Sequence, residues 1–467
     1  MWACGTAGGA TRRGATVLFA SGADLQSINP LHTIHPLAKQ VQRYALLTTL
    51  VRYDSALTVQ PYLARRWQWS PDRTALTFTL FRGLPWSDGR LTVARDVTWT
   101  FDAARDPATG YPRLTDLAQI TGLQAVDDTT VVVRFRAPQA RVPDVFTDLA
   151  ILPSHLLASV PHAELRRAGW NERPVGNGPF RFVLHEPHRR WVFDGNPDFP
   201  GALGGPPRLK RLVIVVVDEP MTKLAALTSG ELDFAGITAA HAAFVRTKPD
   251  LLVRSYPLIF VYGMVFNTRR PPFADVSMRR AASLAIDRQE IVDGLLFGFG
   301  SPAAGPVPPF LPGYVPMPPT PFAPDSARRL LAGRSAKLEL LTVGSGEAAL
   351  EQLLQARLAA AGFVVTIRQL ELSAFLDRVY GPRHDFDVAV MGIPGDPGLG
   401  YLAPILALTG LPAPIDAAAE QHVFADQTPV AWLYLAGGVQ GMNRRVAGVT
   451  MDVRGELVTV AQWWTEP

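Results

Sequence analysis

Histidine, glycine and serine residues are the first candidates for catalysis or metal binding in this sequence, and their spacing argues against both. His185 and His188 are separated by only three positions and Pro187 lies between them, so one helix face cannot present both to a metal ion. Gly298 and Gly300 are followed by Ser-Pro, which breaks a dinucleotide-binding fingerprint. The chain contains no G-x-S-x-G elbow and no Walker loop. We therefore expect a protein that is not an enzyme and that uses no metal and no cofactor.

Composition narrows the class of protein further. The 467 residues are 48% hydrophobic and 18% charged, which is typical of globular chains with two or three domains. The net charge is +4, but arginine is scattered and forms no basic block, so we expect no nucleic-acid partner. No run of 18 apolar residues predicts a membrane-spanning helix. The single cysteine, Cys4, excludes an intrachain disulfide and a cysteine-based zinc site.

The stretch from Leu258 to Pro309 contains a predicted strand and two predicted helices that could position functional residues. Its first nine residues, 258–266, are apolar and rich in β-branched and aromatic types, which predicts a buried strand that ends at Asn267. A helix capped by Ser277 is predicted next, and the D-x-x-E pattern of Asp287 to Glu290 predicts a second helix. A strand therefore leaves one unit of the protein here, and two helices open another.

Other segments predict alternating strands and helices. In the first half these are the strand Leu76–Leu80, a tight Asp88-Gly89 turn, a helix capped by Thr92, the strand Lys210–Val217 and the helix Glu219–Ser229. In the second half these are the strand Lys337–Thr342, the helix Glu347–Ala361 and the strand Val364–Arg368. The second set predicts a parallel pair with a right-handed crossover. The ten prolines of 301–324 predict an extended loop.

Three groups of motifs resemble one family. They are Phe266-Asn267-Thr268 with Pro272-Phe273-Ala274-Asp275, Ala285-Ile286-Asp287-Arg288 and Gly305-Pro306; Trp86-Ser87-Asp88-Gly89 with Thr92 to Val97; and Gly176-Asn177-Gly178-Pro179-Phe180. Their types and order resemble the extracellular solute-binding proteins of family 5, which are the dipeptide, oligopeptide and nickel binders of ABC importers. The match extends over much of the chain.

The resemblance implies an α/β, periplasmic-binding-protein-like fold (type II, cluster C), in which hinge strands join two lobes built from three discontinuous domains. The expected divisions are a flexible tether at 1–15, domain I at 16–55, 177–262 and 436–467, a small inserted domain II at 56–176, and domain III at 263–435. Only 32 residues separate Pro397 from Val430, and Ile415–Ala425 predicts a single helix there. Domain III is therefore expected to be shortened.

The resemblance also implies that hinge closure encloses a ligand between the lobes. The candidate ligand-binding residues are Asn29, His32, Trp86, Tyr262, Asn267, Ile393 and Asp396. For each of them, core packing is the alternative interpretation. Peptide binders of the family often carry an aspartate three residues before an acidic-Pro step. Here that step is Asp396-Pro397 and the earlier position is Ile393, which cannot neutralise a peptide ammonium group.

The function implied is that of the substrate-binding protein of an ABC importer, which captures a peptide-like or other small solute and delivers it to permease subunits. We expect a monomer at the periplasmic or extracellular face of the cytoplasmic membrane. Cys4 lies between Ala3 and Gly5, which resembles a lipoprotein anchor, although an incidental thiol explains the same residues. A secreted hydrolase acting on peptides or glycosides, and a sensory or chaperone module of the same fold, are the alternatives.

Overall fold

The computed structural model describes residues 14–33, 35–344, 347–414 and 416–466, so Cys4 and most of the predicted tether lie outside the described residues. The chain forms two compact units, which we call unit 1 (Met1–Ser255 and Val439–Pro467) and unit 2 (Tyr256–Gly438). It passes from unit 1 into unit 2 inside the strand Leu251–Phe266 and returns inside the strand Val430–Asn443. The predicted three-domain division stays a prediction.

Unit 1 contains short helices and two larger sheets. Its strands are β1 (Thr16–Ser21), β2 (Val51–Tyr53), β3 (Val59–Pro61), β4 (Ala64–Trp69), β5 (Ala75–Leu80), β6 (Ile120–Asp127), β7 (Thr130–Phe135), β8 (Phe180–Glu186), β9 (Arg190–Gly195), β10 (Arg211–Val216) and β11 (Phe234–Gly236). Its helices are α1 (Pro36–Val41), α2 (Ala94–Arg105), α3 (Val145–Asp148), α4 (Ser154–Leu157), α5 (Pro220–Thr228) and α6 (Ala242–Arg246).

The sheets of unit 1 follow the apolar alternation of the sequence. The larger one has the order β8-β9-β10-β1-β11, in which β1 and β10 are parallel and β9 and β10 are antiparallel. The second is the antiparallel sheet β4-β5-β7-β6, and in β5 every second residue is buried. Buried aromatic residues fill the core between the layers, including Phe19 stacked on Phe234 with ring centroids 5.4 Å apart.

Unit 2 alternates strands with helices, as expected for an α/β layer. Its elements are β12 (Leu251–Phe266, which begins in unit 1), α7 (Val276–Leu284), α8 (Arg288–Gly294), β13 (Gly300–Pro302), α9 (Pro324–Leu331), β14 (Ala336–Val343), α10 (Ala349–Ala361), β15 (Phe363–Leu370), α11 (Leu372–Tyr380), β16 (Val388–Pro394), α12 (Leu402–Thr409), α13 (Ala417–Gln427) and β17 (Val430–Asn443, which ends in unit 1). The chain closes with β18 (Val446–Ala447) and β19 (Trp464–Thr465) of unit 1.

The sheet of unit 2 has the order β15-β14-β16-β12-β17. The predicted parallel pair is confirmed, because β14 and β15 run parallel over eight residue pairs. The strand predicted at 258–266 lies within the longer β12. Met264, Phe266 and Leu340 belong to the core that the sheet forms with the helices. The proline-rich segment 303–323 contains neither helix nor strand.

Two predicted helix caps are wrong, because Asp275 occupies the N-cap position of α7 and Val93 that of α2. Asp275, not Ser277, caps α7, since its Oδ1 accepts the Ser277 N–H at 2.8 Å. Ahead of α2, the Thr92 hydroxyl accepts a hydrogen bond from Asn177, and Asp96 accepts the Val93 N–H. The prediction at Asp287 is confirmed, because its Oδ1 accepts the N–H groups of Gln289 and Glu290.

The segment after Pro397 holds two helices where one was predicted. Besides α13, which replaces the helix expected at Ile415–Ala425, the chain forms α12. The sequence hides α12 because its apolar residues are nearly continuous and Pro404 interrupts them. Pro404 occupies the first turn, where its missing N–H has no intrahelical partner to lose. Gly410 then ends the helix in the left-handed conformation with φ +98°.

Candidate functional site

In unit 1, the loop after β1 contains two of the predicted ligand-binding residues. Asn29 is fully buried; its Oδ1 accepts the Leu31 N–H at 3.0 Å and its Nδ2 donates to Asn171 Oδ1 at 2.8 Å. Asn171 in turn donates to the carbonyls of Leu165 and Arg166. The Asn29 amide therefore fastens the loop to the 165–171 segment, and its ligand role stays a prediction.

His32 lies three residues further along the same loop and is half-buried. Burial, together with the positive charge of Arg166, lowers the pKa of His32 to about 4. The imidazole is thus neutral at physiological pH. A neutral ring can accept or donate one hydrogen bond but cannot neutralise an anionic ligand.

Trp86 belongs to the core of unit 1. The side chain is 1% exposed, and its Nε1 donates to Asp96 Oδ2 at 3.2 Å. The same carboxylate accepts hydrogen bonds from Ser154 N and Oγ. Within the described chain, the Trp-Ser-Asp-Gly motif therefore joins the turn before α2 to the start of α4.

The motif at 176–178 requires glycine at two positions for steric reasons. A Cβ at Gly176 would lie 2.2 Å from the Leu46 carbonyl oxygen, and one at Gly178 would lie 2.4 Å from that of Ala45. Asn177, between them, accepts the Thr48 N–H at 2.9 Å through its Oδ1. These residues therefore pack two backbone segments directly against each other, which only glycine allows.

In unit 2, Asn267 closes the end of β12. The side chain is 2% exposed; its Nδ2 donates to the carbonyls of His384 and Phe386, and its Oδ1 accepts the Arg269 N–H. The family motif Phe-Asn-Thr thus holds the end of β12 to the segment that leads into β16. All the polar atoms of the Asn267 amide have protein partners.

Tyr262 and Ile393 lie in neighbouring register on β12 and β16, where Val261 pairs with Ile393 and Tyr262 pairs with Gly392. Ile393 is 2% exposed and packs in the core, so its side chain offers no polar group. Tyr262 is half-buried and stacks on Tyr434, with ring centroids 4.6 Å apart and an interplanar angle of 16°. Burial raises the pKa of Tyr262, so its hydroxyl stays protonated.

Sequence analysis missed Phe260, which with Tyr262 and Gly392 forms what we call the aromatic face (Phe260, Tyr262, Gly392). The rings of Phe260 and Tyr262 meet edge to face at 5.5 Å. A Cβ at Gly392 would lie 2.2 Å from the Phe260 ring, so the ring rests on the backbone of β16. The period-2 alternation of β12 was the available signal, because it places residues 260 and 262 on one side of the strand.

Asp396 follows β16 and shapes the turn after it. Its Oδ1 accepts the Gly398 N–H at 2.8 Å, and it is half-buried. Tyr401 lies nearby and donates its hydroxyl to the Pro306 carbonyl at 2.8 Å. Burial and the Asp396 charge raise the pKa of Tyr401. Asp396 is therefore a carboxylate just beyond the end of β16, three residues after Ile393.

Neither a metal centre nor a membrane span is apparent in the described ranges. Among residues 14–33, 35–344, 347–414 and 416–466, no group of three His, Cys, Asp or Glu side chains could hold a metal ion. In the same part of the chain, no helix is long and apolar enough to cross a membrane.

The chain thus combines α/β sheets with two crossings between compact units. Residues 58–410 match the family described as bacterial extracellular solute-binding proteins, family 5 Middle. The chain therefore belongs to the bacterial extracellular solute-binding proteins of family 5, as the motifs predicted.

Named relatives agree with this assignment. A protein of Brucella ovis that carries the name ABC transporter peptide-binding protein is 29% identical over 368 residues, 74% of this chain and 68% of the relative. Di/tripeptide-binding protein 2 of Pseudomonas aeruginosa is 28% identical over 398 residues, 78% of this chain and 72% of the relative. The solved ABC transporter substrate-binding protein CtaP of Listeria monocytogenes superposes with a TM-score of 0.86 at 19% identity, over 97% of this chain and 99% of CtaP. The predicted α/β, periplasmic-binding-protein-like fold is confirmed.

Proposed function

We propose that this chain is the substrate-binding component of an ABC importer, that its solute is peptide-like, and that it delivers this solute to membrane permease subunits. Membership of family 5 and the peptide-binding names of the relatives support this proposal. The observation that carries the peptide-like chemistry is the aromatic face of unit 2. The protein acts by binding and release, and catalyses no reaction.

The aromatic face suits a ligand of varied side chains. Phe260 and Tyr262 are half-buried, so each ring keeps some surface for contact while its position is fixed by packing. Aromatic surface of this kind contacts apolar and amphipathic groups without requiring one particular shape. Gly392 has no side chain, which lets the Phe260 ring rest directly on the backbone of β16.

Ile393 stands at the position where peptide binders of the family often carry an aspartate, and its pairing with Val261 places it on the other side of the sheet from Tyr262 and Gly392. A peptide α-ammonium group needs a carboxylate partner when it is buried, and the buried isoleucine at this position provides none. We therefore propose that binding does not depend on a free amino terminus. This distinguishes the chain from family members that carry aspartate at the corresponding position.

Matched peptide pairs test the proposal. Isothermal titration of a di- to pentapeptide library, in free and N-acetylated forms, should yield ligands whose two forms bind within about threefold of each other. Tyr262→Ala should weaken binding about tenfold, Tyr262→Phe should retain it, and Phe244→Ala, a control at an exposed ring of unit 1, should leave it unchanged. Absence of binding by any peptide, or loss of binding on acetylation, would contradict the proposal.

We also propose attachment at the outer face of the cytoplasmic membrane through a lipid on Cys4, and a monomeric state. Support comes from the extracellular description of the family and from the Ala3-Cys4-Gly5 sequence. Incorporation of a radiolabelled fatty acid in a bacterial host should occur in the natural protein and be absent from Cys4→Ser. Light scattering of the soluble Cys4→Ser protein should give the mass of one chain.

A further inference from the structure

Unit 2 contains a pocket of about 340 Å³ that is formed by residues other than those of the aromatic face. Helix α7, the proline-rich segment 317–321, the end of α13 and the start of β17 surround it. This volume falls within the range of small-molecule sites in proteins. We call it the α7 pocket.

Apolar groups make up most of the wall. Trp432 and Phe424 are buried and pack edge to face with ring centroids 5.4 Å apart, and Leu284 and Met317 also line the pocket. Pro318, Pro319 and Pro321 form the side contributed by the loop. Proline fixes its own backbone φ, so this side is preorganised and loses little conformational entropy when a ligand binds.

The α7 pocket is lined by positive charge and by no negative charge. Arg280 is the only charged side chain among its lining residues, and it is exposed. One Nη2 hydrogen bond goes to the Asp426 carbonyl at 2.7 Å, and the described residues offer its other N–H groups no acceptor. A guanidinium group carries five donors in a planar fork that matches a carboxylate.

A second guanidinium group lies behind the wall. Arg288 donates to Ser283 Oγ at 2.9 Å and to the Trp432 carbonyl at 2.6 Å, and both of these residues line the pocket. In the described part of the chain, neither Arg280 nor Arg288 forms an ion pair within 4.0 Å. The pocket is thus apolar, carries positive charge and has no lining carboxylate.

We infer that the α7 pocket binds a small organic anion with a hydrocarbon body, whose carboxylate pairs with Arg280 while the body packs against Trp432 and Phe424. The site is separate from the one proposed for the transported solute and goes beyond the proposed function. An inorganic anion would use the arginine but leave the apolar wall without contact, so the hydrocarbon acid is the chemistry that fits both.

Titration of the intact protein with n-octanoate tests the inference, with octanamide and inorganic phosphate as comparison probes. Tryptophan fluorescence should change with octanoate, and Trp432→Phe should remove most of the change because that indole lines the pocket. Octanamide and phosphate should each bind at least tenfold more weakly. Equal binding of octanoate and octanamide would overturn the inference.

Matched variants identify the residues. Arg280→Gln should weaken octanoate binding about tenfold, Arg280→Lys less, and the exposed Arg383→Gln not at all. Ala425→Leu narrows the pocket from an exposed helical position and should block binding, whereas Ala418→Leu on the same helix should not. Unchanged octanoate affinity in Arg280→Gln or Ala425→Leu would refute the site.

Peptide titrations of the same variants separate this inference from the proposed function. Ala425→Leu should bind the transported peptide as the natural protein does, and peptide should not displace octanoate. Displacement would show that the α7 pocket is part of the solute site, which would overturn the inference and leave the importer function standing. Circular dichroism and urea unfolding confirm that each variant is folded.

Discussion

Unit 1 buries a carboxylate among cations, whereas unit 2 buries guanidinium groups among backbone carbonyls. In unit 1, Asp148 contacts Lys39, Arg43 at 2.9 Å and Arg113 at 3.0 Å. Burial alone would raise the pKa of Asp148, but the three cations lower it to about 2. In unit 2, Arg288 is 5% exposed and donates to the carbonyls of Trp432, Ser283 and Ile286.

The difference teaches how each unit depends on its surroundings. The Asp148 cluster holds together only while the carboxylate is ionised, so its contribution to stability varies with pH. The Arg288 contacts join a permanent cation to neutral acceptors, although burial lowers the pKa of Arg288 to about 10. These contacts are insensitive to acid. They also leave the positive charge of Arg288 without an ion-pair partner, directly behind the wall of the α7 pocket.

Removal of the Arg288 side chain should have the largest effect. Arg288→Met leaves buried carbonyls without donors and should lower the free energy of unfolding by about 4 kcal/mol in urea titrations. Arg288→Lys should recover less than half of this loss, because an ammonium group lacks the planar fork. Arg329→Met, at an exposed position on α9, is the control. A loss of less than about 1 kcal/mol for Arg288→Met would contradict the proposed difference between the two units.

Asp148→Asn should cost about 3 kcal/mol at pH 7, since three cations lose their buried counter-charge. Asp198→Asn, whose carboxylate is exposed and pairs with Arg181, should cost little. The pKa of Asp148 is lowered on folding, so its contribution is present above pH 4 and is lost as the pH falls towards 2. Unfolding midpoints across this window should fall in the natural protein and in Arg288→Lys, but less in Asp148→Asn.

His32 provides a second test of how the stability of unit 1 depends on pH. Its pKa is lowered to about 4 from 6.5, so protonation favours the unfolded chain and stability falls as the pH drops from 6.5 to 4. After discounting for partial exposure, we expect the loss to be about 1–2 kcal/mol. Urea midpoints of His32→Gln should show a flatter slope in this window. His188→Gln, whose side chain is 90% exposed, should keep the natural slope.

The smallest predicted effect separates capping from charge at Asp287. Asp287→Ala should lower the free energy of unfolding by about 1 kcal/mol, because α8 loses the acceptor for two N–H groups. Asp287→Asn retains an acceptor and should cost only a few tenths of that. If Asn costs as much as Ala, Asp287 acts as the counter-charge of Arg288 and the contrast between the two units weakens.

Local patterns predicted local structure well and distant partners poorly. The strand containing 258–266 and the cap at Asp287 depend on neighbouring residues, and both are confirmed. The acceptor of the Arg288 Nε lies 144 positions away, and those of Asn267 lie 117 and 119 away, beyond the reach of periodicity. Local sequence favours Thr92 as a cap, but its partner is Asn177, 85 positions later. Family motifs therefore marked important residues without revealing their contacts.

The two crossings of the chain also set an order in which the units can be completed. Unit 2 is one continuous stretch, 256–438, whereas unit 1 needs the late residues of the chain. Trp463 is fully buried and stacks on Phe234 at 4.7 Å, and Arg445 pairs with the buried Asp233 at 2.7 Å. Because a chain is synthesised from its amino terminus, unit 2 can fold once residue 438 is available, whereas unit 1 can be completed only after Arg445 and Trp463 have been added.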